Sequence, residues 1–156
     1  MVALHGGAQA HPAGAGGYRR TRCERAGRHV RIRKLLPILL VERIEPCLPF
    51  WIERLGFRAT VQVPDGDRLG FLILEKDGAE IMYEAERSAR RDPFAPAEFP
   101  PLRGSVLFLQ VDDLDAVERA LSGVEVVSPR HATAYGAQEF AVREPAGNIV
   151  VFAEMA

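Results

Sequence analysis

Beyond residue 34 the chain carries few side chains able to do chemistry. His131 is the lone histidine there, with Tyr135 and Glu139 close behind it. An imidazole and a carboxylate can exchange protons near neutrality, so His131 with Glu139 is a candidate general acid–base pair, although no spacing signal singles it out. Glu154 is a further acid. Cys47 has no histidine near it in sequence and reads as a small hydrophobe. The other histidines, His5, His11 and His29, lie ahead of residue 35. Two cysteines, Cys23 and Cys47, cannot build a disulfide framework or a four-thiolate zinc site, and they fit a reducing cytoplasm.

The elements that would hold these groups follow from apolar spacing. Leu35–Val41 is a continuous apolar run, which suits a strand buried on both faces. Ile44, Leu48, Trp51, Ile52 and Leu55 share one helical face, with Pro46 and Pro49 near its start and Gly56 stopping it. Phe57–Val63 alternates as a half-buried strand does. Leu69–Glu75 and Ala79–Glu84 are the next two strands, after turns at Pro64–Asp67 and Lys76–Gly78. Residues 86–103 hold four prolines and no periodic apolar face, so they form a connector in which Phe94 and Phe99 stand out. Val106–Val111 is a strand. Asp113 caps a helix through Leu121, and Gly123 ends it. Strands Val124–Val127, Gln138–Arg143 and Ile149–Glu154 follow, with Ser128–Gly136 as a loop and Glu144–Asn148 as a turn.

The 156 residues, 47% hydrophobic and 26% charged, suit one globular domain. No apolar run approaches the roughly 20 residues that a membrane helix needs, so an integral membrane protein is not expected. A net charge of −1 conceals two unlike parts. Residues 1–34 hold eight Lys/Arg and one acid, whereas residues 35–156 hold 12 bases and 20 acids. The first part has six glycines, six alanines and no apolar periodicity, so residues 1–34 are expected to be a disordered basic extension. The acidic body disfavours nucleic acid and attracts cationic ligands.

The second half repeats the element order of the first: Val41 and Val111, 70 residues apart, close equivalent strands. A duplicated βαβββ unit can place curved sheets around a shared cleft. Three segments resemble the vicinal oxygen chelate superfamily, the glyoxalase, bleomycin resistance and dioxygenase group. They are Leu55-Gly56-Phe57 after Phe50-Trp51, then Val111-Asp112-Asp113-Leu114-Asp115-Ala116, and Tyr135-Gly136 through Glu139–Arg143 with Glu144-Pro145-Ala146-Gly147-Asn148. The likeness covers about residues 35–154 and is nearest the bleomycin-resistance-like branch. It implies an α+β fold of paired βαβββ modules, about 35–85 and 104–154, forming a concave mixed β-sheet cleft, and commonly a homodimer.

Enzymes of this superfamily hold a divalent metal with His, Gln and Glu side chains from both modules. The resemblance places those positions at Leu36, Val106 and Val151, with the fourth at Ile81 or Tyr83. Alkyl groups offer no lone pair, so metal-dependent chemistry is disfavoured. What remains is binding. Leu36, Ile38, Val106, Phe108 and Val151 are the expected cleft residues, with Tyr83 and Tyr135 as aromatic candidates. The expectation is a cytoplasmic, metal-free protein with no cofactor and no catalytic residue. It would sequester an aromatic or cationic compound, as bleomycin resistance proteins do. The alternative is a glyoxalase- or dioxygenase-like metalloenzyme with a non-standard ligand set. A third reading has the basic extension bind nucleic acid.

Overall fold

A computed structural model describes residues 33–91, 93 and 104–155. The basic extension up to residue 32 and the aromatics Phe94 and Phe99 lie outside the described residues. Strands β1 (Ile38–Val41), β2 (Arg58–Asp65), β3 (Arg68–Lys76) and β4 (Ala79–Ala85) form a sheet in the order β1-β4-β3-β2. A short helix α1 (Glu86–Ala89) follows. Then β5 (Val106–Gln110), α2 (Leu114–Ala120), β6 (Val126–Ala132), β7 (Ala137–Arg143) and β8 (Ile149–Met155) build a second sheet in the order β5-β8-β7-β6. In each sheet the first strand pairs parallel with the last, and the other pairs are antiparallel. The duplicated βαβββ pattern is therefore the observed architecture, an α+β fold. No helix among the described residues is long and apolar enough to cross a membrane.

One core serves both halves. It joins Leu39, Val41, Trp51, Leu72, Leu74 and Tyr83 to Leu114, Leu121, Phe140, Val142, Val150 and Phe152. Burying each large apolar side chain contributes about 1.5–3 kcal/mol. Arg54 ties the halves together by donating to the carbonyls of Ala120 (3.1 Å) and Ser122 (2.9 Å), at the end of α2. At the start of α2, the Asp113 carboxylate accepts from the Ala116 amide at 2.7 Å, the expected cap. Glu154 points away from Val151 and accepts from the Leu114 amide at 2.7 Å.

Four local expectations are corrected. The first helix is broken into a 3-10 turn (Glu45–Cys47) and a π-helical turn (Pro49–Arg54). Pro46 and Pro49 lack the N–H groups that a continuous α-helix would use here. The strand expected over Leu35–Val41 starts at Ile38 and is buried on one face only, because Leu39 and Val41 pack on the core while the other side of the sheet faces outward. In β2 the register shifts between Ala59 and Val61. Ala59 thus stays beside the core, while Val61 and Val63 turn outward. Finally, β6 runs through Val126–Ala132, so His131 lies in a strand and not in a loop. Pro129 is tolerated because β6 is the sheet edge.

The Glu144–Asn148 turn is built around a buried carboxylate. Glu144 is 1% exposed. It accepts from the amides of Ala146 (2.9 Å) and Asn148 (3.1 Å), and from the Asn148 side chain. Gly147 takes φ of +93°, a conformation that side chains resist, which lets the chain reverse into β8.

Candidate functional site

Strand register sorts each sheet into a core face and an outward face. On the first sheet, Ile38, Met82, Ile73 and Val61 lie opposite one another in an outward row, beside a row of Leu40, Glu84, Phe71 and Val63. On the second sheet the outward rows are Val106, Ile149 and Arg143, then Phe108, Val151, Ala141 and Ser128. The next row is Gln110, Ala153, Glu139 and His131. This face therefore grades from apolar at Val106 and Phe108 to polar at Glu139 and His131.

These faces leave large apolar groups in water. Ile38 is 57% exposed, Val106 67% and Phe108 55%, with Val61 and Val63 also exposed. Exposed apolar groups gathered on a sheet face in this way mark an interaction surface. The expected cleft residues Val106, Phe108 and Val151 come together on one sheet, and Ile38 holds the corresponding face of the other. Leu36 lies ahead of β1 and is half-buried. Tyr135 stands in the β6–β7 turn, exposed, and its hydroxyl donates to the Glu139 carboxylate.

Tyr83 does not belong with them. It is fully buried, and its hydroxyl accepts a 2.7 Å hydrogen bond from the Trp51 indole. Alternation in β4 puts Ile81, Tyr83 and Ala85 on the core face and Met82 and Glu84 outward. Neither position considered for the fourth metal ligand, Ile81 or Tyr83, faces outward. The polar residues of β4 were the missed signal: Glu80 and Glu84 mark the outward phase.

Do the outward residues fit the divalent metal that this fold can hold? At the positions that the resemblance gives on the first, fifth and last strands, Leu36, Val106 and Val151 have no donor atom; the outward donors of the second sheet lie elsewhere, in the row of Gln110, Glu139 and His131. The fourth strand offers a thioether, Met82, and two carboxylates, Glu84 and Glu80, the latter paired with Lys34. Hard divalent ions need several oxygen or nitrogen ligands, so the residues at the positions that the resemblance gives do not fit one. Groups of three or more His, Cys, Asp or Glu able to hold a metal are absent among the described residues.

The buried polar groups are structural. Burial, aided by the Glu144 carboxylate, pushes both the Cys47 thiol and the Tyr83 phenol well above their ordinary range. Neither ionises near neutrality, and a protonated, buried thiol is a poor nucleophile. His131 is different. It is exposed, and its Nδ1 lies 3.0 Å from the Pro129 carbonyl, which accepts when that nitrogen carries a hydrogen.

A model of the Glyoxalase/Bleomycin resistance protein/Dioxygenase superfamily matches residues 29–152. The chain belongs to this superfamily. No curated protein matches it. TioX from Micromonospora sp. ML1 is structurally similar, with a TM-score of 0.66 and 16% identity over 78% of this chain and 98% of that one. Lactoylglutathione lyase from Agrobacterium tumefaciens gives a TM-score of 0.65 and 14% identity over 80% and 95%. A glyoxalase/bleomycin resistance protein/dioxygenase from Nocardioides gives 0.60 and 18% over 81% and 86%. At such identities the likeness is one of fold.

Proposed function

We propose that the protein is a metal-free binder of small aromatic or cationic compounds, holding them on the outward sheet faces without making or breaking a bond. The observation that carries this is the pairing of exposed Phe108 with half-buried Val151 across β5 and β8, together with aliphatic Val106 and Val151 at positions where the resemblance expects metal ligands. A cytoplasmic protein of this kind would act by sequestration, as the resemblance to bleomycin resistance proteins suggests. The working form is a homodimer: a second copy would cover part of the apolar area around Ile38 and Val106 and close the cleft over the ligand. The domain extends over about residues 35–154, with the basic extension dispensable for binding.

The alternative, a glyoxalase- or dioxygenase-like metalloenzyme, would have to draw on Glu84 and the polar row of Gln110, Glu139 and His131. One experiment separates the two. Metal content is measured on the full chain, and melting temperature is followed with a naphthyl-alkylammonium probe before and after exhaustive chelation. A probe-induced rise that survives chelation supports sequestration. One retained metal per chain, with a rise that needs it, overturns the proposal.

A further inference from the structure

One cavity lies away from the residues given above for ligand. It measures about 410 Å³ and sits where the π-helical turn of the first half meets the Glu144–Asn148 turn of the second. Pockets for small molecules run from roughly 300 to 1,000 Å³. Pro49, Phe50, Val124 and Pro145 give it an apolar wall, and the guanidiniums of Arg54 and Arg143 line it from the two halves of the chain.

Arg54 is the unusual member. Most described arginines reach a carboxylate: Arg58 reaches Glu75, Arg87 and Arg91 reach Asp65, and Arg130 reaches Asp115. Arg54 reaches none among the described residues. Of the others that reach none, Arg68 and Arg119 lie in the fields of Glu45 and Asp115, and Arg33 stands at the exposed start of the described chain. Arg54 instead commits Nη1 to the carbonyls of Ala120 and Ser122. That fixes the side chain and leaves its Nε and Nη2 hydrogens without an acceptor among the described residues. Arg143 donates from Nε to Glu125 at 3.0 Å. The Glu125 side chain is 63% exposed, and a surface pair of this kind yields readily to a competing anion. Glu144, also at the wall, is already held by two amides and the Asn148 side chain.

From this we infer that the cavity is a second binding site, for a small organic monocarboxylate whose charged end lies between Arg54 and Arg143 and whose apolar body rests on Pro49, Val124 and Pro145. The planar fork of a guanidinium matches the two oxygens of a carboxylate. A single negative charge suits the site better than the two of a phosphate, because Glu125 and Glu144 stand at its wall. The site is independent of the binding function proposed for the outward faces, since neither Phe108 nor Val151 lines it. Its two anchors come from different halves, so an occupied site ties the halves together beside the contact that Arg54 already makes to the end of α2.

Phenylacetate and the neutral phenylacetamide are titrated into the full chain, isotope-labelled on nitrogen, and the arginine Nε–H and backbone amide signals are followed. Phenylacetate is expected to shift the Nε–H signals of Arg54 and Arg143 and the amides of Val124 and Gly147. It should bind about tenfold more tightly than phenylacetamide. Arg143→Gln, at an exposed position, should lower phenylacetate affinity about tenfold, with a cooperative melt showing that the variant is folded. Arg54→Lys, which keeps the charge and loses the fork, should weaken it as well. Equal binding of acid and amide, unchanged affinity in Arg143→Gln, or shifts centred on Phe108 and Val151 would each overturn the assignment. Failure of phenylacetate to bind the wild type overturns it too.

Discussion

Tyr83→Phe removes one oxygen from a pair of fully buried side chains and separates the core from the binding face. Trp51 and Tyr83 are both 0% exposed, and the indole N–H donates to the phenol at 2.7 Å. The substitution keeps the ring in place but takes away the acceptor, leaving a buried donor without its partner. Such a group costs about 1–3 kcal/mol. For a domain of this size each kcal/mol moves the melting temperature by roughly 3–5 °C. The same loss should appear in urea as a lower midpoint with an unchanged slope, because the surface exposed on unfolding is the same. Since Tyr83 faces the core and Met82 faces outward, affinity for an aromatic probe should stay within about twofold of wild type, a difference of under 1 kcal/mol. Melting and probe titration on one preparation give both numbers. A variant of unchanged stability that has lost probe affinity would put the Tyr83 hydroxyl in the cleft and refute the placement of the two faces.

Other substitutions probe the same division. Phe108→Ser, at an exposed position, should weaken probe binding about tenfold or more, while changing the melting temperature little, since surface changes are usually within about 0.5 kcal/mol. Glu144→Ala strips the acceptor from two backbone amides and the Asn148 side chain in a buried turn; a loss of about 3 kcal/mol or more is expected by urea denaturation. Cys47 should resist a thiol reagent in native protein at pH 8 and react at once in denaturant, because burial and the Glu144 carboxylate keep it protonated. Despite the opposing effect of partial burial, the Leu69 amide, which donates to Glu45 at 2.8 Å, holds the Glu45 carboxyl below its usual range. Its folded pKa lies below its unfolded one. Its stabilisation is therefore present above the unfolded value, about 4.3, and is lost as pH falls through the folded one. Glu45→Gln should accordingly lower stability at pH 7 and reduce the difference between pH 7 and pH 3.

The fold was largely legible because the pattern occurs twice. Each half supplied a strand, an amphipathic segment, a glycine stop and three further strands, and a motif that ambiguous spacing leaves uncertain in one half is repeated in the other. The Asp113 cap could be read directly, and so could the shared face of Val106 and Phe108 from a side-chain period of two; that this face is the outward one followed from the family resemblance. What escaped was local. The bulge at Thr60 reverses the phase of β2, and a one-residue shift is invisible to alternation counted from Phe57. The prolines at 46 and 49 suit a helix start by spacing, but two of them so close break the segment into separate turns. Tyr83 was drawn to the cleft by its polar tip. The Trp51 indole that satisfies that tip inside the core comes from a distant segment, which no local pattern reveals. His131 and Glu139 lie eight residues apart in sequence. Only the hairpin between β6 and β7 makes them direct neighbours.

Ligand is expected on the outward sheet faces and not in the core or at a metal. Methyl-labelled protein titrated with the naphthyl-alkylammonium probe in the presence of a chelator tests this most directly. The account predicts shifts concentrated at the methyls of Ile38, Val106 and Val151, with Leu72, Leu74 and Leu114 unmoved. Shifts centred on the core leucines, or shifts that appear only once a divalent metal is restored, would contradict it.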